Sequence, residues 1–199
     1  MDSVERMQLI TGGAVEVQRS ARTGLTTFVG SRQRSAAIPT GLNVADPPAD
    51  RAEAFLADYG KAFGIQDPSQ VRVLREVARD ETGMEHVRFQ QLHRGVPVTS
   101  GELTVHLRGA DVVSVLAETL PDLDSIDVVP TLDAETALIV AEILLEKNFN
   151  ITDATLSEPR LEIFNRGVLE DIEYPTRLAW FIEATRLDLQ EFIWIDAHT

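Results

Sequence analysis

The chain has 199 residues and a mass of 22.0 kDa, room for one domain or two small ones with a core of their own. Its 32 Asp and Glu outnumber 18 Lys and Arg, a net charge of −14, which repels phosphate backbones and anionic lipid and argues against nucleic-acid or membrane-surface partners. Cysteine is absent, so disulfides, thiolate metal sites and a cysteine nucleophile are excluded.

The charge is uneven. Residues 1–50 hold five Arg and five acidic residues, whereas residues 121–199 hold five basic and seventeen acidic residues. The start, MDSVERMQLI, is acidic where an export signal needs cations, and no apolar run follows it. The longest apolar stretch, Ala137–Leu145, is broken by Glu142 and too short to span a bilayer.

Alternation in 14–19 and 25–29, around Arg22-Thr23-Gly24, predicts a β-hairpin. Residues 31–50 lose periodicity, carry three prolines and read as an extended linker. Arg51–Gly64 predicts a helix with Ala52, Phe55, Leu56, Tyr59 and Phe63 on one face, Asp50 as its cap and Gly64 as its end. Antiparallel strands follow at Val71–Arg79, Glu85–His93, Gly101–Leu107 and Val112–Thr119, with turns at 79–83, Arg94-Gly95 and 109–111. Residues 120–132 connect to a second helix, Asp133–Lys147, capped by Asp133, with Ala137, Val140, Ala141, Leu144 and Leu145 as its buried face. Strands return at Arg160–Asn165, Thr176–Leu187 and Glu191–Ile195. The expectation is an α+β fold: two small modules, each a helix on an antiparallel sheet, over 51–120 and 121–199, preceded by the N-terminal hairpin and linker over 1–50.

No catalytic constellation emerges. There is no HExxH, no GxSxG and no glycine loop with a phosphate-binding lysine. Asp122, Asp124 and Asp127 alternate like calcium ligands but lack the glycine and distal glutamate of such a loop. His86 and His93, seven apart on one strand, point to opposite faces. His86, His106 and a carboxylate make a conceivable cross-strand metal site, against the simpler reading of ordinary hydrogen-bonded strand histidines. Glu170-Asp171-Ile172-Glu173 reads as a polar loop. A globular chain without such machinery reads as a binding, folding or regulatory module, not an enzyme.

Three stretches in order, AEAFLADYGKAFGIQDPSQV, HVRFQQLHRGVPV and SGELTVHL, resemble the FTP domain, the fungalysin/thermolysin propeptide module. Val98-Thr99-Ser100-Gly101 departs from the aromatic and glycine that the family often places after Pro-Val. PTLDAETALIVA, RLAWFIEA and FIWIDAHT are similar to a PepSY module. FTP followed by PepSY is the arrangement of propeptides of thermolysin-like (M4) zinc metalloproteases.

The resemblance implies a non-catalytic propeptide of a secreted enzyme, acting as intramolecular chaperone and inhibitor of a metalloprotease catalytic domain in cis or trans. Zinc is expected in that protease, with no cofactor in this chain. It also implies a fragment of a longer precursor. The alternative is a stand-alone secreted FTP/PepSY protein that binds or inhibits a protease without an attached enzyme. Candidate contacts are Arg88, Gln90 and Gln91, for which hydrogen bonding inside the sheet is an equal reading, and the apolar strand Phe192–Ile195 with Trp194, although its apolar strand neighbours favour the core over an interface for that residue. His198 is a further candidate, able to offer a ring nitrogen to a partner's zinc.

Overall fold

A capping box opens the structure. Asp2 accepts the Glu5 N–H at 2.8 Å and Glu5 accepts the Asp2 N–H at 2.9 Å, which starts helix α1 (Ser3–Ile10). No helix is expected here, because its two buried residues, Val4 and Met7, are too few to register as a stripe. The computed structural model describes residues 1–31, 36–77, 79–170 and 172–199. It divides into two compact units, Met1–Asp122 and Leu123–Thr199.

In the first unit, β1 (Val15–Arg19) and β2 (Thr26–Ser31) form the expected hairpin. The hairpin is not a separate module, and the expected boundary at residue 50 is corrected here. β2 pairs with the last strand of the unit, and so does the two-residue β3 (Ile38–Pro39) inside the expected linker. Apolar Val15, Val29 and Ile38 are buried in the core, which is why this segment joins the sheet despite its prolines. Linker residues 32–35 lie outside the described residues.

Helix α2 (Pro48–Tyr59) starts three residues before the expected Arg51. Asp50 is not its cap: Pro47 occupies that position and Pro48 is the first helical residue. Proline suits that place because its φ is already helical and it has no N–H to leave unpaired. The last turn tightens to 3-10 geometry over Gly60–Phe63, and Gly64 ends it at φ 76°. Ala52, Phe55, Leu56, Tyr59 and Phe63 are all buried, as their spacing requires.

The helix packs on β4 (Val71–Val77), β5 (Glu85–His93), β6 (Val96–Arg108) and β7 (Asp111–Glu118). All pairings are antiparallel, in the order β1-β2-β7-β6-β5-β4. The expected first of these strands ran to Arg79; Ala78 lies outside the described residues. Arg94 and Gly95 both have positive φ, 48° and 85°, the geometry of a two-residue type I′ hairpin turn. Inward residues are Val87 and Phe89 on β5 and Leu103, Val105 and Leu107 on β6.

One charged residue lies inside this core. Arg51, 1% exposed, donates to the Glu85 carboxylate at 2.7 Å, to the Asp46 carbonyl at 3.0 Å and to the Gly109 carbonyl. It therefore joins the loop before α2, the start of β5 and the β6–β7 turn.

The second unit contains α3 (Ala134–Phe149), β8 (Thr155–Leu156), β9 (Arg160–Phe164), α4 (Arg166–Glu170), β10 (Arg177–Arg186) and β11 (Leu189–Asp196). β10 is central, with β11 along one side and β8 and β9 along the other, all antiparallel. Asp133 caps α3, accepting the Thr136 N–H at 2.8 Å, as expected. Ala137, Ala141 and Leu145 are buried, and Val140 and Leu144 pack at the margin. Glu170 belongs to α4 and bonds Arg166, so it is not in a loop; Asp171 lies outside the described residues. Each unit is thus a helix on an antiparallel sheet, the α+β class the sequence predicts.

Replacing Arg51 with Met leaves the partly buried Glu85 and two carbonyls without their donor, and should destabilise the chain by about 3 kcal/mol. Urea unfolding of Arg51→Met against the parent checks this. The double variant Arg51→Met/Glu85→Leu should recover a large part of the loss.

Candidate functional site

Strand alternation sorts the β5 residues. Val87, Phe89 and Gln91 face the core and His86, Arg88 and Gln90 face outward. Gln91 is 2% exposed, and its side chain accepts the Leu120 N–H at 2.9 Å while donating to the Leu120 carbonyl at 2.8 Å. It clamps the segment after β7 by replacing a missing strand partner, and its burial takes it off the contact surface.

Gln90 also works within the sheet. Its amide nitrogen donates to the carbonyls of Val98 at 2.7 Å and Gly101 at 2.8 Å. These bonds span the register shift between Gln90 and Leu92, opposite a kink where Ser100 takes φ 58°. A Cβ at Gly101 would lie 2.7 Å from Val98 Cβ, so the kink needs glycine there. Arg88 alone of the three is exposed, its guanidinium paired with Glu102. Together they border a shallow groove of about 440 Å³ whose floor includes Thr104 and the exposed Leu116.

The outer face also brings His86 and His106 together, their Nδ1 atoms 2.6 Å apart. The Nε2 of His86 meets Asp80 at 2.9 Å. The carboxylate thus approaches the far side of the His86 ring, and the three groups do not converge on one point. Among the described residues no group of three or more His, Asp and Glu is placed to hold a metal. The His86 bond, followed by those from Met84 and Thr82, holds the Asp80 carboxyl well below its ordinary range. Burial, then the neighbouring His86, pushes His106 below its ordinary value, with Asp80 partly opposing.

The other candidates lie in the second unit. β11 ends its sheet, and Phe192 projects from it half exposed. Trp194 is half-buried, stacked on Phe164 at 4.6 Å and edge-on to Phe181 at 5.1 Å, with its indole N–H donating to Glu162 at 3.1 Å. Arg160 lies 4.0 Å over the Phe181 ring, closing an aromatic cluster. His198 is exposed; its N–H donates to Asp196 at 2.9 Å and its Nε2 lies 3.4 Å from the Asp127 carbonyl. The buried Arg51 is absent from the sequence-derived candidates, whereas Gln91 is among them and takes the hydrogen-bonding role that was its equal reading. A polar residue on an apolar alternation, as Gln91 is, was the one available signal.

Residues 73–117, which run from within β4 to within β7, match the Fungalysin/Thermolysin Propeptide Motif. The chain is 28% identical over 155 residues to a Bacillolysin of Brevibacillus brevis, an alignment covering 73% of this chain and 29% of that protein. The chain therefore spans less than a third of the length of this relative. Over 99% of its length it superposes on 90% of the Bacillus megaterium YpeB C-terminal domain, with 13% identity and a TM-score of 0.41. No helix among the described residues is long and apolar enough to cross a membrane.

Gln91→Leu should cost about 1–3 kcal/mol for each Leu120 backbone group left unpaired, whereas Arg88→Ala should stay within about 1 kcal/mol of the parent, as an exposed ion pair does. Chemical denaturation of the two variants separates the roles. Equal destabilisation by both would contradict the assignment of Gln91 as a clamp and Arg88 as a surface residue.

Proposed function

We propose that this chain is a propeptide-type module of a thermolysin-like zinc metalloprotease, which assists folding of the catalytic domain and restrains it until removed. The observation that carries this reading is the propeptide motif over residues 73–117, which spans the strands bordering the Arg88 groove. The Bacillolysin alignment supports it, and so does the resemblance of residues 130–199 to a PepSY module.

The physical requirements are modest. A protease held by a high kinetic barrier folds faster when a preformed surface binds its folding transition state. The same surface then binds the native enzyme. Two features of this chain suit that task. One is the outer sheet face around Arg88 and Leu116. The other is the β11 edge with Phe192 exposed on it, where an extended segment of the partner adds as a further strand. The acidic second unit steers a complementary basic patch. Catalysis and zinc belong to the protease, and export of the pair follows from the same reading.

The purified chain should inhibit a matched thermolysin-like protease with sub-micromolar affinity. Phe192→Arg and Leu116→Arg, both at exposed positions, should weaken inhibition about tenfold or more, the worth of an interface anchor, while stability falls by no more than about 1.5 kcal/mol, the worth of the Phe192–Phe181 ring contact. Inhibition constants from peptide-substrate assays check this. Absence of inhibition at tens of micromolar sinks the reading for that pair.

A further inference from the structure

Two imidazoles face each other across β5 and β6. His86 and His106 are register partners, with their rings at 80° and Nδ1 to Nδ1 at 2.6 Å. The Nε2 of His86 lies 2.9 Å from Asp80 Oδ2. An ionised carboxylate only accepts, so this Nε2 carries a hydrogen. That leaves the two facing Nδ1 atoms room for one hydrogen between them. None would set two lone pairs in contact, and two would set N–H against N–H.

With one hydrogen shared, the pair is satisfied in two charge states. In the neutral state His106 donates from Nδ1 to His86. In the singly charged state the Nε2 of His106 is protonated as well and the shared hydrogen sits on His86 Nδ1, so the bond persists, the cation lies beside Asp80 and the second charge falls to His106. A second positive charge needs a hydrogen on each Nδ1 and breaks the contact.

The surroundings oppose that second charge. The outer face presents Arg75 from β4, Arg88 from β5, and Glu102 and Arg108 from β6. β7 sets the uncharged Ser114 opposite His106 and Asp111 opposite Arg108, so the unbalanced positive charge on this face is that of Arg75. Arg88 and Glu102 pair with each other. The turn before β5 contributes Arg79, Asp80 and Glu81. Asp80 Oδ1 accepts from Thr82 N, Thr82 Oγ1 and Met84 N, at 2.8, 2.8 and 2.9 Å. The histidine pair is therefore tied through one carboxylate to the conformation of the β4–β5 turn.

We propose that His86, His106 and Asp80 form an acid-triggered latch. The pair bridges β5 to β6 and anchors the turn while it holds at most one positive charge, and it lets go on taking the second. The proposal stands independently of the protease reading.

The direction of the pH effect follows. The depressed folded-state value of His106 lies below that of the unfolded chain, about 6.5. Between the two values the unfolded chain holds one more proton than the folded one. Stability is therefore lost as pH falls through 6.5 toward the folded value, with the unfolding constant rising by up to about tenfold per pH unit. Above about 6.5 this contribution is constant.

Two measurements test the latch. Imidazole ¹⁵N NMR of the unmodified chain between pH 8 and 4.5 should show His86 holding its Nε2 hydrogen throughout and the pair taking up its two protons in separate steps. Superposed steps at the ordinary histidine value would overturn the proposal. Urea unfolding from pH 7.5 to 5.0 should show the steeper acid loss in the parent and its removal in His106→Gln, since His93 and His198 are common to both chains. Identical pH slopes in the two would also overturn it. If His106→Gln does not fold, the NMR result on the unmodified chain decides alone.

Discussion

The first unit depends on one buried guanidinium. Arg51 is on the first turns of α2, and its charge meets Glu85 at the head of β5 and carbonyls from the loop before the helix and from the β6–β7 turn. An unpaired charge in that position would cost several kcal/mol, so the three segments are compelled to meet around it. Apolar packing by Phe55, Phe63, Phe89 and Leu103 supplies the driving force, but packing alone tolerates sliding of a helix along a sheet. A planar donor with fixed directions does not. Arg51 thereby sets where α2 sits over the strands that carry the propeptide motif.

The motif's polar residues follow the same logic. HVRFQQ reads on its face as a row of contact groups, yet Gln91 holds the chain after β7 and Gln90 holds the kink around Gly101. What reaches the surface is Arg88, and beside it the His86–His106 pair. A sequence signature of this kind records a folding solution as much as a recognition surface. The outer face belongs to side chains whose identity the core does not dictate, and the exposed Leu116 is the clearest of them.

The elements legible in the sequence are those with a strong period. The α2 face, the β5 alternation and the β6 alternation over Gly101–Leu107 appear where expected because burial enforces them, though β6 itself begins earlier, at Val96. Helix α1, β3, β8 and α4 were not legible: each has at most two buried apolar residues among those described, and position in the fold, not local pattern, makes them. The start of α2 was misread because Asp50 is a good cap by type, while Pro47-Pro48 fixes the entry by geometry. Of the site, proximity of His86, His106 and a carboxylate was foreseeable from strand spacing. Which carboxylate, and that it meets the far side of the ring, depends on a turn whose path the sequence does not specify.

The strand order β1-β2-β7-β6-β5-β4 has a consequence for how the chain leaves the ribosome. Phe28 waits for Leu116 before β2 gains its second neighbour, so the opening hairpin stays a two-stranded ribbon, marginal by itself, through most of the unit's translation. The unit closes late and from its far end. The closing of this non-local pairing, with its cost in loop-closure entropy, therefore limits folding of the unit more than the pace of any single local step.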